Sequence, residues 1–456
     1  MTSPPRKQIH LAAHFPGVNN TTVWSDPTSG SQTDFSSFVH LAQTAERGKF
    51  DFFFLAEGLR LREHRGRIFD LDVVGRPDSL TVLAALAAVT DRIGLAATVN
   101  TTFNEPYELA RQFATLDHLS AGRAAWNAVT SPDAFTGENF RRGGFLRRSE
   151  RYRRAEELIL VARQLWDSWR DDAVVADPDR GVFVADDGVV PFAHHGDQFT
   201  VTGTFDVPRS PQGYPVQIQA GDSDDGRELA AAYADVIFSR HSGWGGGRRF
   251  YADVKGRLAR YGRRPDDLKI IPAATVVLGD TEDEAREHAD HVHRQQVSPQ
   301  GAIAFLEQVW GRDLSAYDPD GPLPDVDPDV DGSTSITRGR VRHDRDPLAV
   351  AAQWRQLAEE KQLSIRQLVI ETTARTAFVG TPAQVAEAID DHVQADAADG
   401  YILVPQLTPH GLDDFVDTVV PLLQERGVFR PDYAGPTLRH HLALTRPSAD
   451  RHPVAR

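Results

Sequence analysis

Gly122-Arg123-Ala124-Ala125-Trp126-Asn127-Ala128-Val129-Thr130-Ser131 reads as a short apolar strand whose carboxyl end opens into an amide and two hydroxyls rather than a turn. In α/β proteins that end of a strand is where ligands bind. Hydroxyls and amides are poor ligands for transition metals, so such a rim suits a large planar ligand with polar edges better than a metal ion.

Outward from this stretch, short apolar runs alternate with longer amphipathic ones about eight times. The strand-like runs are Ile9 to Phe15, Phe50 to Ala56, Ile93 to Val99, Arg123 to Val129, Val216 to Ala220, Val236 to Ser239, Leu268 to Val277 and Gly400 to Val404. The helix-like runs are Phe35 to Gly48, Ser79 to Val89, Pro106 to Leu119, Glu150 to Trp169, Asp224 to Tyr233, Gly246 to Tyr261, Pro382 to Asp396 and Leu412 to Arg426. Most of the strands are apolar throughout, as parallel strands buried on both faces must be. Glu105-Pro106 and Gly380-Thr381-Pro382 carry helix-start signals, proline in the first turn and a capping threonine before it. Eight such units predict an α/β (β/α)8 TIM barrel with insertions, and 456 residues are within the reach of one such unit.

The expected organisation is one barrel domain over residues 1–456, with insertions at about 174–203 and 281–346 and an extended tail at 430–456. Val174 to Gly203 is expected to form a small hairpin excursion. Gly311 to Asp346, dominated by Pro, Asp and Gly, is read as lying outside the core, a lid in preference to the competing reading of a passive loop. The tail after Phe429 is expected to wrap the surface or reach a partner subunit.

A hydrophobic content of 40% and a charged content of 25% are near the average for a soluble protein. A formal net charge of −15 argues against nucleic acid or an anionic membrane as the main partner. The absence of cysteine excludes disulfides, thiolate metal sites, iron-sulfur clusters and cysteine nucleophiles. No secretory leader and no apolar stretch of about 20 residues is visible, so the expectation is a cytoplasmic enzyme.

The polar residues after each strand should converge on one rim: His14, Glu57, Thr98 to Thr102, Asn127 to Ser131, Gly221 to Gly226 and His241. Gln219-Ala220-Gly221-Asp222-Ser223-Asp224-Asp225-Gly226 joins a strand to a helix, with Ser223 at the cap position and free amides at the positive end of the helix dipole. That outlines a phosphate site. Three aspartates compete for the same helix end, and capping by Asp222 or Asp224 is the competing reading. His288-x-x-His291-x-His293 reads as a solvated helix face, and no metal site is expected. Arg60, Arg62, Arg65 and Arg67 read as a solvated basic loop, with contact to an acidic substrate as the other reading. No Walker loop, Rossmann glycine fingerprint or nucleophile elbow is present.

Several segments together resemble the bacterial luciferase-like flavin monooxygenases, in the branch of nitrilotriacetate monooxygenase component A and dibenzothiophene-sulfone monooxygenase. They are Glu46 to Asp51, Phe54-Leu55-Ala56, Glu105 to Arg111, Leu116 to Ser120 running into Trp126 to Ser131, Arg151-Tyr152, Leu165 to Trp169 and Gln219 to Gly226. The resemblance spans about Gln8 to Phe429. It implies a two-component enzyme that uses O2 and reduced FMN, supplied by an NAD(P)H-dependent flavin reductase. The implied substrate is a small heterocyclic or nitrogen- or sulfur-containing compound, with C–N or C–S cleavage among the outcomes and riboflavin-type catabolism included. A homodimer or homotetramer is implied as well.

By the same resemblance Thr102, Asn127, Thr130 and Ser131 would hold the isoalloxazine and ribityl groups. Tyr152, Gly221, Asp222 and Ser223 would reach the phosphate end. Glu57 stands where the branch commonly has aspartate, and Arg147 and Arg148 stand where it often has histidine. His14, Glu57, His195, His241 and Arg148 are the candidates for orienting substrate and managing protons. Hydride transfer with the deazaflavin F420, and flavin binding without catalysis, are the competing readings on the same scaffold; the Trp126 to Ser131 motif favours FMN.

Overall fold

Strands that are apolar on both faces need two partners, a lumen and a surrounding layer of helices, and the chain supplies both. The computed structural model describes residues 6–19, 21–68, 76–131, 134–140, 148–330, 337–338, 346–373 and 377–448. Its barrel strands are β1 (His10–Phe15), β2 (Phe52–Leu55), β3 (Gly94–Asn100), β4 (Ala124–Val129), β5 (Val216–Ala220), β6 (Val236–Phe238), β7 (Lys269–Ile270, resuming as Ala273–Leu278) and β8 (Gly400–Leu403). Each pairs in parallel with the next, and β8 pairs with β1 through His10 opposite Gly400. Pro272 interrupts β7 without opening the barrel. Ile271 and Ala273 donate to Ile237 and Ser239 on one side, and Ile402 donates to the Pro272 carbonyl on the other. The eight-stranded barrel expected from the alternation is therefore closed.

Around it lie α1 (Phe35–Arg47), α2 (Ser79–Ala87), α3 (Pro106–Leu119), α4 (Arg148–Asp167), α5 (Asp224–Tyr233), α6 (Trp244–Arg257), α7 (Pro382–Gln394) and α8 (Val420–Glu425, entered through a π turn at Phe415–Val419). The helix signals read from the sequence act as expected. Thr381 and Gln384 form a reciprocal capping box at α7, and Pro106 opens α3. Strand parity sorts the side chains. Ala12, Phe52, Phe54, Ala96, Ala125, Ile218, Val236 and Ile402 fill the lumen. Trp126 points the other way into the helix layer, where its indole N–H donates to the Val99 carbonyl at 3.0 Å beside Phe113.

The entry to β4 is fixed by two buried charges. Asp117 accepts from the Ala124 N–H (2.9 Å) and from Gln212 (2.6 Å). Arg123 spends its guanidinium on the carbonyls of Ala87, Thr90 and Ile93, from the end of α2 to the entry of β3, and of Ser120, the C-cap of α3. These residues position the strand that carries Asn127.

Three expectations are corrected. Residues 174–203 form two hairpins, Val174–Asp177 with Val182–Val184 and Phe192–His195 with Thr200–Gly203. The Pro/Asp/Gly segment after Gly311 is not wholly outside a core. Leu314 is buried with Ile303, Leu306, Trp310, Ile365 and Val369, and the Trp310 indole donates to the Val326 carbonyl at 2.7 Å. Thr337–Arg338 adds a strand to the hairpin Glu63–His64/Arg67–Ile68 that follows β2.

The third correction concerns the tail. Residues 429–444 fold back beneath the amino ends of the strands, where Leu438 and Leu442 join the lumen cluster. Arg430 pairs with Asp51, and Leu438 N–H donates to the Gly122 carbonyl. Gly122 sits at φ +89°, and a Cβ there would lie 2.7 Å from Thr437 Cγ2, so only glycine admits the tail. The tail plugs the barrel floor, leaving the carboxyl end as the mouth. Among the described residues no helix is long and apolar enough to cross a membrane.

Candidate active site

Parity and register place the first layer of the mouth. Thr98 and Asn127 are register partners, Asn127 faces Ile218 on the other side, and the Asn127 amide donates to Thr98 Oγ1 at 3.0 Å. That leaves Asn127 Oδ1 buried with no hydrogen-bond partner among the described residues. A buried amide oxygen in that state is costly unless a ligand donor meets it. His14, inside β1 rather than beyond it, is 8% exposed and lies opposite Phe54, with ring centroids 5.3 Å apart. Phe54 stacks in turn on Phe238 at 5.8 Å. The floor of the mouth is thus aromatic on the β1–β2–β6 side and polar on the β3–β4 side.

Above this layer the rim residues are held by one another. Glu57, half-buried, accepts from the Asn100 backbone N–H and amide at 3.1–3.2 Å. Burial pushes its carboxyl up to about 7, with the charge of Asp78 adding to the effect and the two Asn100 donors opposing it. Thr102 Oγ1 accepts from the Ser131 N–H at 3.0 Å, and Arg151 donates to the Ser131 carbonyl at 3.0 Å. Thr130 is half-buried at the end of β4.

The turn after β5 forms a second subsite. Ser223 caps α5 by accepting from the Gly226 N–H at 3.1 Å, and the Tyr152 hydroxyl meets Ser223 Oγ at 3.1 Å. The cap is Ser223; Asp222 and Asp224 do not compete for it, because Arg240 takes Asp222 at 3.0 Å and Arg257 takes Asp224 at 2.6 Å. A Cβ on Gly226 would lie 3.1 Å from the Gly221 carbonyl and from Tyr152 Oη. Backbone and phenol approach this closely only because both positions are glycine. Asp222 Oδ1 and His241 Nε2 lie 3.9 Å apart, each buried with no hydrogen-bond partner among the described residues, and the His241 ring stacks on Phe250.

The structure therefore brings together His14, Glu57, Thr102, Asn127, Ser131, Tyr152, Gly221, Ser223, Asp222 and His241 along the strand ends. His195 is elsewhere: it lies exposed on the Phe192–His195 hairpin, whose neighbour His194 is tied to Glu157 of α4 at 3.1 Å. The Arg148 side chain, like Arg147, lies outside the described residues. The basic loop after β2 is engaged by protein acids, Arg60 by Glu138 and Arg65 by Glu307 and Asp313. Sequence reasoning included Asn100 in the Thr98 to Thr102 rim and Phe54 in a matching segment without giving either a role, and did not single out Phe238. The inward parity of Phe54, two residues before Ala56 at a strand end, was the available signal.

The match to the family model for luciferase-like monooxygenases covers residues 18–400. The chain belongs to the luciferase-like monooxygenase family. It is 41% identical to nitrilotriacetate monooxygenase component A of Aminobacter aminovorans, over 91% of each chain. It is 39% identical to N-acetyl-S-(2-succino)cysteine monooxygenase of Bacillus subtilis strain 168, over 98% of this chain and 99% of the relative. Among solved structures, riboflavin lyase with modified FMN and riboflavin superposes with a TM-score of 0.78, at 28% identity over 96% of each chain. The luciferase-like monooxygenase described here is thus an oxidoreductase whose mouth carries the polar rim read from Asn127 to Ser131.

Proposed function

We propose that the mouth of this two-component, FMN-dependent monooxygenase binds reduced FMN across β3, β4 and β5 and oxidises a small nitrogen- or sulfur-containing organic compound against the His14–Phe54–Phe238 floor. One observation carries the reading: the unmet oxygen of Asn127, the Thr102–Ser131 edge and the Tyr152–Ser223–Gly221 turn line one mouth, an amide edge at one end and an anion cradle at the other. The cradle fits a phosphate because it lies at the positive amino end of α5, and Asp222 and Asp224 are neutralised by arginines. Asn127, Thr102 and Ser131 would hold the ring and ribityl chain. Tyr152, Ser223 and the Gly221 backbone would hold the phosphate.

When bound, reduced FMN supplies the two electrons that activate O2. The chain's own residues do the rest. The aromatic floor excludes water from one face and packs the substrate's apolar part. Glu57, poised near pH 7, takes or gives a proton at its carboxyl while Asn100 keeps it aimed. His14 and His241 orient polar substrate groups. The relatives' substrates, nitrilotriacetate and N-acetyl-S-(2-succino)cysteine, carry carboxylates beside nitrogen or sulfur, and the same class is the first to try here. A separate NAD(P)H-dependent flavin reductase would supply the reduced flavin, and the barrel with its insertions and plugged floor would act as one domain.

The test is oxygen uptake and product formation on a panel of carboxylated amines and thioethers, with reduced FMN fed by a flavin reductase. Turnover that requires the reductase, and that falls at least tenfold in Asn127→Ala, is expected. Product formation with reduced F420 and no oxygen uptake would replace this reading with hydride transfer.

A further inference from the structure

A second cluster of ligand-type side chains shares no residue with the mouth and lies where the first and last units of the barrel meet. His40, on α1, places Nε2 2.9 Å from Asp413 Oδ2 and 3.1 Å from His410 Nδ1; His410 Nδ1 is 3.1 Å from the same carboxylate oxygen. Three ligand atoms therefore form a nearly equilateral triangle. An ion about 1 Å above that plane would lie about 2.0 Å from each atom, the bond length of zinc to imidazole or carboxylate. The edges are within about half an ångström of the roughly 3.3 Å that separates ligand atoms around a tetrahedral ion.

We propose that His40, His410 and Asp413 bind a transition-metal dication of the zinc class, as a clip between α1 and the segment that follows β8. Two imidazoles and one carboxylate select zinc, cobalt, nickel or copper over magnesium and calcium, which favour oxygen-only shells. The Thr44 hydroxyl donates to Asp413 Oδ1 at 2.9 Å, leaving Oδ2 for the ion and fixing the carboxylate plane, as outer-shell partners of metal ligands do. His410 is 58% exposed, so the fourth position opens to solvent and an ion has an entry path.

The location gives the ion a purpose. His40 and His410 are 370 residues apart in the chain. The loops on either side already touch, Val23 N–H donating to the Gln406 carbonyl at 2.8 Å and Gly30 N–H to Thr408 at 2.6 Å. A metal at the triad would lock the seam where β1 and β8 close the barrel. The inference is independent of the flavin reading. It also departs from the expectation of no metal, which weighed the mouth rim, the absent cysteines and the His288 to His293 run but not ligands brought together from distant segments.

A plain hydrogen-bonded cluster, with one proton shared between the facing rings, satisfies the same distances, and the experiment separates the two. Full-length protein stripped with chelator is titrated with Co2+ by visible absorption and with Zn2+ by calorimetry, and its thermal midpoint is followed with and without Zn2+. One ion per chain is expected, with the intense visible bands of a four-coordinate cobalt site and a raised midpoint. His410→Ala and Asp413→Asn should lower affinity at least 100-fold, and Thr44→Val about 10-fold. His288→Ala, on the separate helical histidine run, should change nothing. His410 is exposed, so its variant folds even if a change at His40 does not. Absence of a saturable one-ion step, or binding that His410→Ala leaves unchanged, overturns the proposal.

Discussion

The Glu57 carboxylate accepts both N–H groups of Asn100, the backbone N at 3.2 Å and the side-chain amide at 3.1 Å. These donors favour the ionised carboxylate, yet burial outweighs them and holds the group near 7, above its ordinary 4.5. Between these values the folded chain keeps a proton that the unfolded chain has released, so the contribution of Glu57 to stability falls as pH rises from about 4.5 to 7. Glu57→Gln should therefore stabilise the protein above pH 7, by up to about 3 kcal/mol, and not at pH 4. Chemical denaturation at the two pH values measures this.

The same pair sets a prediction for catalysis. If Glu57 moves the proton, kcat should break near pH 7 in the parent and lose that break in Glu57→Gln. Asn100→Ala keeps the backbone donor but removes the side-chain amide that favours the charge, so its break should move to higher pH. A pH profile identical in all three proteins would reduce Glu57 to a packing residue.

Tyr152 and Ser223 test the cradle. Tyr152→Phe removes a hydroxyl worth about 1 kcal/mol, roughly a fivefold loss in affinity for FMN with little change for riboflavin, which lacks the phosphate. Gly226→Ala places a methyl 3.1 Å from the Gly221 carbonyl and Tyr152 Oη, so the turn must shift and the same FMN-to-riboflavin preference should shrink further. Parallel fluorescence titrations of the two flavins read out both variants. Equal losses for FMN and riboflavin would move the phosphate site elsewhere.

Most of the barrel was legible because its physics is local: a parallel strand buried on both faces must be apolar throughout, and β1 to β8 fall on the eight runs read from the sequence. The rim was legible for the same reason, since Asn127 lies near the carboxyl end of β4 and Glu57 just past β2, strands that could be located. Interactions between distant segments were not. Asn100 as the partner of Glu57 depends on β2 and β3 lying side by side, and the Arg240 and Arg257 partners that neutralise the α5 aspartates come from other units. For His195 the sequence left a turn and a substrate contact open, and its exposed place on the hairpin, beside a His194 that Glu157 engages, could not be read from the local residues.

Glu307 shows how the insertion is tied to the mouth. Buried at 2% exposure on the helix Pro299–Trp310, it takes His64 Nε2 at 2.6 Å and also Arg65, both from the hairpin after β2. Glu307→Ala removes the shared acceptor, at a cost of about 1–3 kcal/mol. Hydrogen exchange at residues 63–68 should accelerate, and KM should rise more than kcat falls, because the β2 loop borders the Glu57 rim. Unchanged exchange there would make the contact incidental.

Leu438 and Leu442 close the floor, and a four-residue apolar spacing in a tail otherwise rich in arginine and histidine was the sequence signal for it. Leu438 is fully buried against Gly94 and the lumen residues, so Leu438→Ala should cost about 2–5 kcal/mol in global stability. The mouth lies at the opposite end of the strands, so FMN affinity, measured well below the lowered melting temperature, should change less than twofold. A tail serving only a partner subunit would give the reverse pattern: an altered oligomer with unchanged barrel stability. Denaturant unfolding and sizing of the same variant distinguish the two, because a plug acts through the lumen of its own barrel whatever the oligomeric state.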